Sequence, residues 1–326
     1  MRRRRAAVRI GYPWAFRLLL LEVERLSAPA PQGPGASGSG ETASELAERL
    51  SRASVKKFWN VYAAIGWPET VDPAAEWFMS PELVSIHGTE AWERLDEPAR
   101  RRLSFFELVN FFSLTLHGER PLVQGLCNQM YSRQNAPITD YIHHFLDEEN
   151  KHMVMFAEFC NRYAGKVYPQ KKLALAKSYA NGEEDVTFFI KALVVEELGD
   201  YYNVVMLRDE RIAAIARDVN RIHHEDEARH IVFGRRLLRE LWDRFAPGWP
   251  PETLDGLRKW LPEYLRSSWS DFYNPSMYRD AGLPDGYAVR QAALASPVCR
   301  ASRERVSRNL LDVFLETGVL REDPGL

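Results

Sequence analysis

Apolar residues recur at helical spacing over long stretches of this chain, with few β-branched runs and no short alternating segments. One such face is Ile142, Phe145, Glu149, His152, Phe156, Phe159, and another is Phe112, Leu116, Glu119, Val123, Leu126. The spacing predicts helices at about 42–65, 99–132, 138–164, 184–207, 210–243 and 300–317, with shorter ones near 81–95, 170–180 and 252–268. Pro137 opens the third helix and Asp209 precedes the fifth, so short connections fold these segments into two antiparallel hairpins. Residues 270–299, punctuated by Pro275, Pro284 and Pro297, read as irregular chain wrapped around the bundle. The expected fold class is all-α: a four-helix bundle core with additional flanking helices.

Composition narrows the picture. The 326 residues are 45% hydrophobic, enough to bury a large core. Residues 28–40 form a Pro/Gly/Ser tract, so 1–41 is expected to be a flexible basic segment plus linker and 42–326 the bundle domain. Gly33, Gly35 and Gly38 satisfy the dinucleotide-binding spacing, but no strand precedes them, and the tract reads as linker. Arg2–Arg5 resemble the start of a signal peptide, yet Arg9, Arg17, Glu22 and Glu24 interrupt the following apolar run. No stretch approaches the roughly 20 apolar residues of a membrane span. Lys+Arg 43 against Asp+Glu 45 supplies no field for a polyanion. Cys127, Cys160 and Cys299 form no paired motif. A cytoplasmic protein with neither nucleic acid nor membrane as partner is expected.

Chemistry concentrates on two Glu-x-x-His motifs, Glu149/His152 and Glu227/His230, one on each hairpin. Residues i and i+3 share a helix face, so a carboxylate and an imidazole can grip one ion. An apolar stripe that gives two positions to ionisable groups must compensate their desolvation, and metal coordination does so directly. Each partner helix supplies an inward carboxylate at matching depth. Glu119 stands 30 residues before Glu149, and Glu196 or Glu197 stands 31 or 30 before Glu227. The stripe through Glu197 is the more apolar; the hairpin geometry favours Glu196, and both remain open. Two Glu-x-x-His helices and two single-Glu helices are the inventory of a dinuclear carboxylate site. Oxygen and imidazole donors suit two iron ions, or manganese, with positions open for O₂ as co-substrate.

His223 lies four residues before Glu227 on the same face and adds a third imidazole. With it the chain resembles the p-aminobenzoate N-oxygenase family of ferritin-like di-iron proteins, whose distinguishing feature is an additional histidine on that helix. The resemblance covers about residues 42–320, its specific part being the seven ligand positions. It implies Glu119, Glu149 and His152 in one half-site and Glu196, His223, Glu227 and His230 in the other. The wording Asp226-Glu-Ala-Arg-His230 also looks like bacterial di-iron monooxygenases, where the residue before each ligand Glu orients the opposite histidine. That assigns Glu148 to His230 and Asp226 to His152. The activity implied is oxidation of a primary aryl or heteroaryl amine to hydroxylamine, nitroso or nitro product, as in secondary metabolism, by a homodimer. No catalytic residue apart from the metal centre is expected. The chain has no flavin or nicotinamide motif, so a ferredoxin or reductase must supply electrons. The alternatives are a C-hydroxylase or desaturase using the same site, and a ferritin-like iron-handling protein.

Smaller expectations accompany these. Pro121 should kink or break the helix carrying Glu119. His117, His143, His144 and His224 point away from the site, and Phe105, Tyr131, Phe189 and Tyr201 are candidates to line a substrate pocket. Arg229 and Lys151 either pair with neighbouring carboxylates or bind a substrate carboxylate.

Overall fold

The computed structural model describes residues 41–133, 135–170 and 179–326. Residues 1–40 of the expected flexible segment 1–41, and 171–178 of the short helix expected at 170–180, lie outside the described residues. The helices are α1 (Ala43–Lys56), α2 (Glu90–Glu93), α3 (Glu97–Gln129), α4 (Thr139–Phe159), α5 (Glu183–Met206), α6 (Ala214–Phe245), α7 (Pro251–Phe272), α8 (Pro275–Asp280), α9 (Gly286–Ala295) and α10 (Pro297–Thr317). Among the described residues extended pairing is limited to a single bridge, Trp77 with Ile212. No described helix is long and apolar enough to cross a membrane.

Hairpins α3/α4 and α5/α6 pack as a ferritin-like four-helix bundle, and α3 lies against α5 as α4 lies against α6. Leu108 and Phe112 of α3, Phe156 and Phe159 of α4, Ile190 of α5 and Phe233 of α6 are buried in its core. Phe112 and Phe156 approach to 4.7 Å between ring centroids, tying the first hairpin together beside the site. Two glycines bring α5 close to α3: a Cβ on Gly118 would lie 2.6 Å from Val195, and one on Gly125 2.0 Å from Phe188. This close approach is what places Glu119 and Glu196 within one interior. Helix α1 crosses outside, against α4 and α6, while α10 covers α5 and α6.

Several expected boundaries move. α1 ends at Lys56 instead of near 65, and the chain turns through residues 57–65, where Asn60 O accepts from Ala63 and Ala64. The segment 81–95 forms only a 3₁₀ turn, Pro81–Leu83, and one turn of α2. Residues 270–299 are largely helical, because Pro275 and Pro297 occupy first-turn positions, where proline preorganises a helix. Asn274 and Asp285 cap these short helices by accepting from Ser276 N–H and Ala288 N–H, at 2.9 Å each. α3 runs unbroken through Pro121. The His117 carbonyl, which residue 121 cannot pair with, accepts instead from Gln170 Nε2 at 3.4 Å.

Candidate metal centre

Each of the four bundle helices sends carboxylates or imidazoles into the same interior. Glu119 comes from α3, Glu149 and His152 from α4, Glu196 from α5, and His223, Glu227 and His230 from α6; none is more than 4% exposed. Their donor atoms form two groups, each within 4.8 Å: Glu119, His152, His223 and Glu227, then Glu149, Glu196, Glu227 and His230. The half-site assignment implied by the resemblance therefore needs correction, since His223 groups with Glu119 and His152, away from Glu196. Helix geometry explains it. His223 lies one turn before Glu227 and His230 one turn after, so the axis of α6 carries the two rings to opposite ends of the site.

Glu227 and Glu149 each divide their oxygens between the halves. Glu227 Oε1 is 2.8 Å from His223 Nε2 and 3.3 Å from His152 Nδ1, while Oε2 is 3.3 Å from His230 Nδ1. Glu149 Oε1 is 2.7 Å from His230 Nδ1, and Oε2 is 3.8 Å from His152 Nδ1. Many of these atoms are nonetheless without a hydrogen bond: both oxygens of Glu119 and of Glu149, one of Glu196, Glu227 Oε1, His152 Nδ1 and His223 Nε2. Close approach without N–H···O alignment means that lone pairs converge on shared points. Orphaned buried polar atoms are costly, and so many in one place fit bound cations. Two divalent ions would carry as much charge as the four carboxylates, with Glu149 and Glu227 shared between them.

The charges of the metal-free chain show the same strain. Burial pushes Glu119 up to about 8 against the pull of His223. Burial and then the charges of Glu227 and Glu149 raise Glu196 well above the carboxylate range. Glu227 stays well below it, because His223 and His230 outweigh its burial. Burial favours neutral rings, yet neighbouring carboxylates outweigh it, lifting His223 to about 9 and His152 and His230 well above the usual imidazole value. Metal ions would displace these protons.

A layer of partners fixes each imidazole from behind. His152 Nε2 donates to Asp226 Oδ2 at 3.1 Å, and His230 Nε2 donates to Glu148 Oε2 at 2.8 Å. Both Nδ1 atoms are thereby left facing inward as lone-pair donors. The guanidinium of Arg229 donates to Asp226 Oδ1 and to Glu148 Oε1, so one cation bridges the supports of both halves. Its Nε also donates to Ser54 Oγ of α1 at 3.1 Å. The Asn203 amide lies 2.7 Å from His223 Nδ1. The contacting atom is the amide Nδ2, whose N–H donates to that ring nitrogen. Phe145 stacks on His230 at 3.8 Å, and Phe156 meets His223 edge-on at 4.9 Å, so apolar walls flank the cluster.

The alternative between Glu196 and Glu197 resolves on a salt bridge. Glu196 joins the cluster, whereas Glu197 accepts two hydrogen bonds from Arg235, at 2.5 and 2.6 Å. The more apolar stripe through Glu197 reflects a buried carboxylate held by a half-buried guanidinium. Lys151 pairs with Asp147, which together with Arg229 accounts for both cations near the motifs. His117 Nε2 lies 2.7 Å from Tyr168 O, and His224 pairs with Asp200 at 2.6 Å. Tyr131 is 77% exposed and bonds His143, far from a pocket-lining position. Glu107, two turns and more from ligand depth, accepts from Ser85 N–H at 3.1 Å, and burial pushes its carboxyl up to about 8. Trp59 and Asn203 had no signal in the hydrophobic pattern. Both act through single tertiary hydrogen bonds, which leave no periodic trace.

Comparison with known proteins supplies the family. Residues 40–318 match the family of the p-aminobenzoate N-oxygenase AurF, which is most of the chain. The chain belongs to the AurF family. It is also 30% identical, over 300 residues covering 86% of this chain and 83% of theirs, to an uncharacterized protein of Mycobacterium bovis and to uncharacterized proteins of two Mycobacterium tuberculosis strains. AurF membership makes the chain an oxygenase by family and gives the buried clusters their expected content, a di-iron centre.

Proposed function

We propose that this chain is a di-iron N-oxygenase that uses O₂ to oxidise a primary aryl or heteroaryl amine through the hydroxylamine toward nitroso and nitro levels. The observation that carries the reading is the pair of four-residue clusters sharing Glu227, one of them enriched by the third imidazole, His223. A pair of iron ions bound there would supply the electrons that reduce O₂. The chain's own residues do the rest. Glu149 and Glu227 hold the two positions in register, and Asp226 and Glu148 keep His152 and His230 turned inward. Phe145 and Phe156 keep bulk water from the cluster. Electrons come from a separate carrier, a ferredoxin or a reductase.

The test is reaction of the iron-loaded protein, with reductant and isotopically labelled O₂, on a panel of arylamines read by mass spectrometry. Labelled N-hydroxylated, nitroso or nitro product is the expected outcome. Oxidation confined to C–H bonds, or iron uptake with no organic product, would overturn the assignment.

A further inference from the structure

Three imidazoles face the candidate metal pair, and each leads outward through one hydrogen bond. From His230 the path runs through Glu148 to the buried, saturated attachment of Arg229, and from His223 it stops at Asn203, which is fully buried. From His152 it runs through Asp226 Oδ2 to the indole of Trp59, whose Nε1 donates to that same oxygen at 2.8 Å. Trp59 is half-buried, with its ring nearly parallel to that of His152 (19° between planes, 6.4 Å between centroids). Of the three routes, this one ends in a conjugated ring that reaches solvent.

The surface around Trp59 is unusual for this molecule. Phe58 is 68% exposed, Tyr62 85% and Val55 64%. The charges beside this surface are balanced, with Arg52 paired to Glu48 at 2.6 Å and Lys57 to Glu225 at 4.0 Å. Inside this rim Lys151 Nζ sits 4.1 Å over the Phe58 ring and 5.6 Å over the Trp59 ring. A cation over the indole makes it harder to oxidise, so the ring can convey an electron inward without holding a hole itself.

We propose that Trp59 is the entry point for the electrons this site consumes, passed one at a time from the separate carrier inward through Asp226 and His152. This rests on the di-iron reading. In each transfer a reduced carrier loses one electron and one ferric ion gains it. Two transfers reduce the pair, and the net oxidation state of the indole is unchanged. Electron tunnelling falls steeply with distance and is favoured along bonded contacts, so the Trp59–Asp226–His152 path outcompetes jumps through packed aliphatic side chains.

The experiment follows the rate at which photoreduced methyl viologen, a bulky one-electron donor, bleaches the oxidised iron pair, with iron content and thermal midpoint measured on the same samples. Trp59→Phe keeps a ring but loses the hydrogen bond, and Trp59→Gln keeps an N–H donor but loses the ring. Both are expected to slow reduction by roughly an order of magnitude or more at unchanged iron content, whereas Trp67→Phe, on another face, should not. If Trp59→Phe fails to hold iron, Trp59→Gln gives the answer. Either variant reducing at the wild-type rate with full iron content would overturn the relay. A wild-type protein with no reducible pair would instead overturn the di-iron reading itself.

Discussion

The two halves of the site share Glu149 and Glu227 but differ in everything else. The half with Glu119 has two imidazoles, His152 and His223, and is backed by Asp226, Trp59 and Asn203. The half with Glu196 has one imidazole, His230, backed by Glu148 and capped by the Phe145 ring. An imidazole-rich position and a carboxylate-rich position favour different metal charges, so the halves should differ in affinity and in redox behaviour. Among the described residues only the first half connects to solvent through an aromatic ring, and its candidate ligands include His223, the residue that distinguishes the family resemblance. The asymmetry fits a division of labour in which one position takes up electrons first.

Removing what the halves share should have the largest effect. Glu227→Gln is expected to abolish stoichiometric iron binding in both halves, read by elemental analysis of reconstituted protein. Loss of only one ion would show that Glu227 serves one half alone. Next comes Arg229→Met, which strips the cation from two buried carboxylates at once. Breaking such a network by removing one partner costs about 3–5 kcal/mol, to be read as a lower free energy of unfolding in denaturant. A change below about 1 kcal/mol would mean that Asp226 and Glu148 are held by other means.

The comparison sharpens with changes confined to one side. Asp226→Asn and Glu148→Gln should each weaken iron binding about 10–100-fold in their own half. Titrations followed spectroscopically should then show one tight and one loosened position, the loosened one differing between the two variants. His223→Ala is expected to leave the fold and the Glu196 half intact while altering the spectrum of the other half; an unchanged spectrum would remove His223 from contact with metal.

The smallest expected effect is on pH. In the folded metal-free chain Glu119 sits at about 8 against 4.5, and His223 at about 9 against 6.5. Both values are raised, so their contribution is fully present below the unfolded values and is lost as pH rises through the folded ones. The thermal midpoint of metal-free protein should fall as pH rises from 4.5 toward 9. Iron affinity should rise over the same interval, because binding displaces those protons. A metal-free midpoint that climbs through this interval would contradict the burial-driven shifts.

Much of this geometry is readable from spacing. The Glu-x-x-His pairs, the matching depths of Glu119 and Glu196 and the adjacency of Asp226 and Glu148 to the motifs all follow from helical periodicity and hairpin length. Even the regrouping of His223 is latent in its spacing, since four residues before and three residues after Glu227 lie on opposite sides along one axis. What spacing hides is contact between helices that are not neighbours in a hairpin. The Trp59 bond spans 167 residues and the Ser54 bond 175, and both depend on α1 crossing α6. Prolines misled for a local reason: Pro275 and Pro297 start helices, and Pro121 is absorbed because Gln170 takes up the carbonyl it leaves behind.

The central claim is that seven side chains from four helices converge on two adjacent ions. Its most direct test is anaerobic titration of metal-free protein with ferrous iron, followed by X-ray absorption of the loaded sample. The account predicts saturation at two irons per chain, with an iron–iron distance of about 3.5–4 Å that disappears in Glu227→Gln. Saturation at one iron or none, or two irons too far apart to share a carboxylate, would contradict it.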